Sequence, residues 1–188
     1  NLKNDVLAHE ASLKLAKANF YKKDFDWTLQ QVKVLKQSPS LLIANDAIEM
    51  FLLIQDNSAE DSLRVALQAY STADLKLYQN KKEEALQLFL AILQKHKGES
   101  IEEGTLFKVG KIYEEKGDFN KALTYYQNIL DNHKDGIYKD EALYFSAEIY
   151  RKHLLDNEKA KALYEKVVLE HSDSLYYTES RKQYRTLR

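Results

Sequence analysis

No cysteine occurs anywhere in the 188 residues. That removes a disulfide framework, thiolate metal sites and thiol nucleophiles, and it leaves every compartment open. Proline occurs once and glycine five times, too few breakers for the many turns of an all-β fold, so the composition points to helices. Excess charge of either sign is missing too: 28 Lys and Arg stand against 29 Asp and Glu. No global field would draw this chain to nucleic acid or to an acidic membrane surface, and neither is expected as a partner. The longest uninterrupted apolar run, Met50–Ile54, falls far short of the roughly 18 residues that cross a bilayer, so direct membrane insertion is not expected. The opening residues carry no basic-then-apolar export signal and the first is Asn, so a targeting sequence is expected to lie outside this stretch.

What is present is self-similarity. Three sets recur: Ala85, Phe89, Ile92, Leu93 and His96; Ala122, Tyr126, Ile129, Leu130 and His133; Ala160, Tyr164, Val167, Val168 and His171. Within each set the offsets from the alanine are 4, 7, 8 and 11, which mark one face of a helix, and the sets lie 37 and 38 residues apart. A partner helix precedes two of them. Leu106, Val109, Gly110 and Tyr113 return 37 residues later as Leu143, Ser146, Ala147 and Tyr150. Short breaks join each pair, Lys116-Gly117-Asp118 and Leu155-Asp156-Asn157, where glycine can take a left-handed position and aspartate can cap the next helix. Fainter copies lie upstream, with Tyr70, Ala73 and Leu77 before Asn80, and with Thr28, Val32 and Leu35 before Pro39.

The repeating unit is therefore helix–turn–helix. Gly110 and Ala147 allow close approach, and the aromatics at 113, 126, 150 and 164 are expected to fill the space beside them. One such pair buries too little apolar surface to stand alone, so the copies are expected to stack. Ten helices are expected, at 2–22, 25–37, 40–55, 59–79, 82–96, 101–116, 119–132, 137–153, 157–170 and 174–187. Ser58–Asp61 and Ser100–Glu103 read as capping boxes, and Ser38-Pro39 as a cap followed by a first-turn proline. The run at 41–54 is apolar on more than one face, which predicts a helix sandwiched between neighbours. Arg181, Lys182, Arg185 and Arg188 give the last helix a polar outer face suited to a terminal cap.

The stretch V109-G110-K-I-Y113…A122-x3-Y126 resembles the tetratricopeptide repeat family, and S146-A147-E-I-Y150…A160-x3-Y164 does so with an enlarged turn. The resemblance implies an all-α, right-handed solenoid as a single domain over 1–188. Its parts would be degenerate N-terminal helices at 1–58, repeat units at 59–97, 101–134 and 137–172, and a capping helix at 173–188. The junctions HKDGIYKDEALYFSAEIY and HSDSLYYTESRKQY look like those of bacterial envelope members, including accessory lipoproteins of outer-membrane assembly, although His133-Lys134 and His171-Ser172 replace the usual aromatic-proline pair. A place in the bacterial envelope is what this likeness implies, with the cytoplasm as the alternative.

Motifs for chemistry are few. His96, His133 and His171 recur in register, but equivalent atoms of stacked units lie roughly 8–10 Å apart against a Zn–N bond of about 2 Å, so no shared metal is expected. They read instead as polar groups at helix C-termini, facing the negative end of the dipole. Residues 131–142 place Asp131, Asp135 and Gly136 as a calcium loop would, yet Ala142 stands where the bidentate glutamate is needed, so a turn is expected. No phosphate loop, H-E-x-x-H or G-x-S-x-G occurs, and no cofactor or catalytic residue is expected. The acidic pairs Glu83/Glu84 and Glu114/Glu115 fall where solvated helix ends are expected.

In the tetratricopeptide family the first helices of successive pairs line a concave groove. The resemblance thus implies a non-enzymatic module that binds a peptide or protein there, through Phe107, Lys111 and Glu114 on one helix and Tyr144, Glu148 and Arg151 on the next. Aromatics would anchor and charges would select. Members that clamp a C-terminal carboxylate use Lys and Asn in such positions; Phe107, Tyr144 and Glu148 stand here instead, so that activity is not expected. The bland alternative for these six is plain exterior. The rival functions are a structural or self-associating scaffold in an envelope assembly and, third, an enzyme with an unrecognised carboxylate pair.

Overall fold

A computed structural model describes residues 2–58, 63–133 and 135–187, with side chains from Val6 onward. Among the described residues the secondary structure is all helical, an all-α tetratricopeptide-like helical repeat, and no helix is long and apolar enough to cross a membrane. The chain divides into two compact units, Asn1–Glu102 and Glu103–Arg188.

The first unit holds α1 (Leu2–Tyr21), α2 (Phe25–Leu35), α3 (Leu41–Asp56), α4 (Val65–Tyr78) and α5 (Lys82–Lys95). Thr28, Val32 and Leu35, aligned by periodicity alone, are all buried, the last two in a core with Leu13, Ala16, Ile43 and Ala47. Tyr70 and Phe89 meet edge to face at 5.3 Å, and Ala73 and Ala85 are fully buried.

The second unit holds α6 (Ile101–Glu115, whose first two residues fall in the first unit), α7 (Phe119–Asn132), α8 (Lys139–Ile149), α9 (Asn157–Glu170) and α10 (Tyr177–Thr186). Ala122, Ala147 and Ala160 are fully buried, as are Tyr126 and Tyr164. Gly110 is small for a reason that can be measured: a methyl group there would lie 2.5 Å from the Tyr126 ring. Tyr113 and Tyr150, expected in the core, are only half-buried. Each lies near the end of its helix, where Tyr113 stacks on Tyr125 at 5.6 Å and Tyr150 has Lys159 5.2 Å from its ring centre.

One turn geometry recurs. Lys23, Asn80, Gly117 and Leu155 all have positive φ. After the first three, the next residue donates its N–H five residues back, Asp24 to Asn19, Lys81 to Lys76 and Asp118 to Tyr113. This is the bonding that closes a helix on a left-handed residue. The fourth turn is one residue longer: Asp156 donates to Tyr150, and residues Tyr150–Leu154 widen into a π-helical turn. Asp24, Asp118 and Asp156 then cap α2, α7 and α9, accepting from Trp27, Lys121 and Lys159 N–H. His96, His133 and His171 occupy the C-caps of α5, α7 and α9, each N–H bonded to the carbonyl four residues back.

Several boundaries differ from expectation. The fourth helix starts at Val65 rather than 59, because Arg64 is left-handed at φ 52° and breaks the run. The rest of the proposed Ser58 capping box, 59–61, lies outside the described residues, as do Lys134 and Arg188. Ser40, not Ser38, is the N-cap of α3, which leaves Pro39 outside the helix; buried Ser38 instead bonds His9 Nδ1 at 2.9 Å. The helix α3 packs against α2 and α1, but its apolar residues are not covered all round. Ile43, Ala47 and Ile54 take its packed face, while Leu41, Leu42 and Ile48 are exposed within the unit. The last helix begins at Tyr177 after a turn that starts at His171.

Replacing Gly110 by alanine gains about 1 kcal/mol of helix propensity but forces a methyl into the Tyr126 ring. The expected net effect is a destabilisation of about 1–3 kcal/mol, read as a lower urea midpoint; an unchanged or raised midpoint would contradict the close-packed seam.

Candidate partner-binding face of the second unit

The face is built on α6 and α8. Glu103 anchors it from the start of α6, where the sequence predicted a capping box with Ser100. Its carboxylate reaches 35 residues forward to accept the Tyr138 N–H at 2.8 Å, and it accepts from Ile137 as well. Burial pushes this carboxyl up, against the opposing pull of those two N–H groups and of His133. Gly136 has no side chain because Glu103 occupies the space: a methyl there would lie 2.1 Å from its Oε1.

The clamp places Tyr138 over Phe107, with ring centres 4.9 Å apart and planes at 24°. From Phe107 a row of rings continues. Phe145 lies 6.0 Å away, Tyr176 meets Phe145 edge-on at 5.5 Å, and Tyr144 stacks on Tyr176 at 4.4 Å. Phe107, Tyr144, Phe145 and Tyr176 are each half-buried. Lys111 Nζ sits 3.7 Å from the Phe145 ring centre, which joins the α6 residues to those of α8.

The charged residues are held by the packing tyrosines. Tyr126 donates its hydroxyl to Glu114 at 2.8 Å, and Lys111 pairs with the same carboxylate at 2.9 Å. Glu114 is thus half-buried and engaged, not the solvated helix end that the sequence predicted. One repeat later Tyr164 donates to Glu148, which also receives Arg151 at 3.0 Å and Lys152. The order of charge is reversed: 37 residues on, glutamate replaces Lys111 and arginine replaces Glu114. In both repeats the tyrosine donates to whichever of the two is acidic.

Glu148 is buried, which would raise its carboxyl, yet the donors on Lys152, Tyr164 and Arg151 hold it below the usual range. The Tyr164 hydroxyl is pushed up, by burial first and then by the bond to Glu148; Tyr126 is raised by burial and by the charge of Glu114. Both phenols stay protonated and keep donating.

All six sequence-predicted residues therefore lie on this unit's α6 and α8 or the turn that follows α8, with two rings in the aromatic row and four charges in the clamps beside it. Tyr138, Phe145 and Tyr176 were missed. A signal existed, because Tyr138 and Tyr176 each stand five residues after His133 and His171. Among the described residues no group of three or more His, Asp or Glu side chains could hold a metal.

This alternation of small seam, buried tyrosine and left-handed turn has a known counterpart. Residues 105–136 and 141–174 each match the tetratricopeptide repeat. The matched segments cover most of α6 with α7, and α8 with α9. Curated proteins gave no match to the chain.

A group with a depressed pKa contributes stability that is present above its unfolded value, about 4.3 for Glu, and is lost as pH falls through the folded value. Glu148→Gln should therefore lower the urea midpoint at pH 7, with the gap to wild type narrowing as pH falls below about 4, which flattens the acid limb. Parallel curves from pH 3 to 7 would show that Glu148 contributes no such term.

Proposed function

We propose that this chain is a non-catalytic protein-interaction module whose second unit grips a peptide or protein segment on the α6–α8 face. Tetratricopeptide repeats generally mediate protein–protein contact, which supports the class of ligand. The observation that carries the site is the row of half-buried rings, Phe107, Phe145, Tyr176 and Tyr144, with paired charges at Lys111–Glu114 and Glu148–Arg151 beside it. Half-buried aromatics on a fixed scaffold offer a large contact area at low entropy cost, and such rings form the energetic centres of interfaces. Because each charge is already paired, the partner is selected by an apolar or aromatic anchor more than by net charge. A near-neutral chain fits a protein ligand better than nucleic acid. Placement in a bacterial envelope belongs to this proposal and rests on the resemblance of the junctions around Tyr138 and Tyr176.

Affinity capture from source-cell extract by immobilised wild type, Tyr144→Ala and Lys111→Glu tests the site. Tyr144→Ala is expected to lose about tenfold or more of any specifically retained protein, and Lys111→Glu a few-fold, with melting temperatures measured alongside to show that both fold. Undiminished capture by folded Tyr144→Ala would remove the site.

A further inference from the structure

The helices α7 and α9 both pack on α8, and between them runs an open furrow of about 850 Å³ floored by Ser146 and Tyr150. Ser146 stands two residues from both Tyr144 and Glu148, about 200° around α8, so the furrow opens on the side away from the aromatic row. Its α7 wall is unusual in chemistry. Asn120, Thr124, Asn128 and Asn132 follow one another at intervals of four, with Gln127 and Asp131 alongside, and every one is exposed. Charge is almost absent. Asp131 accepts from Gln127 at 2.8 Å, and Lys159 on the far wall is paired to Asp156 at 3.0 Å.

We propose that this furrow is a second ligand site, which holds an extended peptide by its backbone. A carboxamide has two donors and an acceptor with two lone pairs, so the single internal bond from Asn132 to Asn128, 2.9 Å, leaves capacity on both. An uncharged surface that both donates and accepts complements the peptide group, which presents one N–H and one C=O. The spacing agrees. Four helical residues rise about 6 Å and turn the row by about 40°, and two residues of extended chain rise about 6.6 Å, so a peptide that crosses α7 obliquely, following the row, meets one side chain at about every second residue. From Asn120 to Asn132 the row spans roughly 18 Å, room for about five residues. Leu123, Ala162 and Leu163 supply apolar contact for side chains without selecting among them. An oligosaccharide would share the hydrogen bonding but would want an open ring to stack on, and Lys159 Nζ lies 5.2 Å from the centre of the Tyr150 ring, the one aromatic among the described residues that line the furrow.

The test uses the whole chain, labelled with nitrogen-15, and an acetylated, amidated six-residue peptide of alternating threonine and alanine. The side-chain amide signals of Asn120, Asn128 and Asn132 are expected to shift and saturate at millimolar peptide, with little dependence on salt. The same peptide N-methylated at alternate residues should bind at least tenfold more weakly, since it loses its donors along one edge. The double variant Asn120→Ala, Asn128→Ala should weaken binding roughly tenfold at an unchanged melting temperature, while Tyr144→Ala leaves it intact. That last arm separates this site from the aromatic face. No shift by several millimolar, equal binding of the methylated peptide, shifts confined to α6 and α8, or preferential shifts with maltohexaose would each overturn the proposal.

Discussion

A buried phenol must find an acceptor, and that requirement organises the second unit. Tyr126 and Tyr164 are fully buried, yet each hydroxyl needs a partner worth a few kcal/mol if lost. Both find it in a carboxylate on the preceding helix, Glu114 or Glu148. The ring can lie that close only because Gly110 and Ala147 leave room, and the carboxylate pairs with a basic neighbour one turn away. Seam, ring and ion pair form one device. Its by-product is a face where helix-bound charges stand beside rings that the clamp of Glu103 on Tyr138 holds in place.

The reversal of charge between Lys111–Glu114 and Glu148–Arg151 shows what such a device constrains. Neither position demands a residue type; the pair demands one acid within reach of the tyrosine and one base to balance it. Position-by-position comparison of the repeats therefore makes these residues look dissimilar although they do the same work.

Much of the fold was legible because it obeys short-range rules. The alanine-led sets repeat a helical period, and Asp118 and Asp156 announce their caps, so most helix boundaries fall within two residues of where the sequence put them. What was not legible depends on contacts far along the chain. Nothing local tells that Glu103 serves Tyr138, or that Arg64 turns left-handed and delays α4. The apolar run in α3 misled because hydrophobicity counts residues while packing selects a face. At the site, the register placed Phe107 and Tyr144 on first helices, but Phe145, Tyr138 and Tyr176 join them through tertiary stacking, hinted at in the sequence only by the shared offset of Tyr138 and Tyr176 from His133 and His171.

The widened turn at Tyr150–Leu154 carries a last implication. An added residue in a straight helix would swing everything beyond it by about 100° and turn the alanine seam of α9 toward water. Spread over one loose coil that closes on Leu155, the surplus is absorbed before the next helix begins, and Ala160, Tyr164 and Val167 still point inward. Insertions can thus be stored at the hinge of a helix pair without scrambling its interior, so neighbouring repeats can differ in length and still share one packing plan.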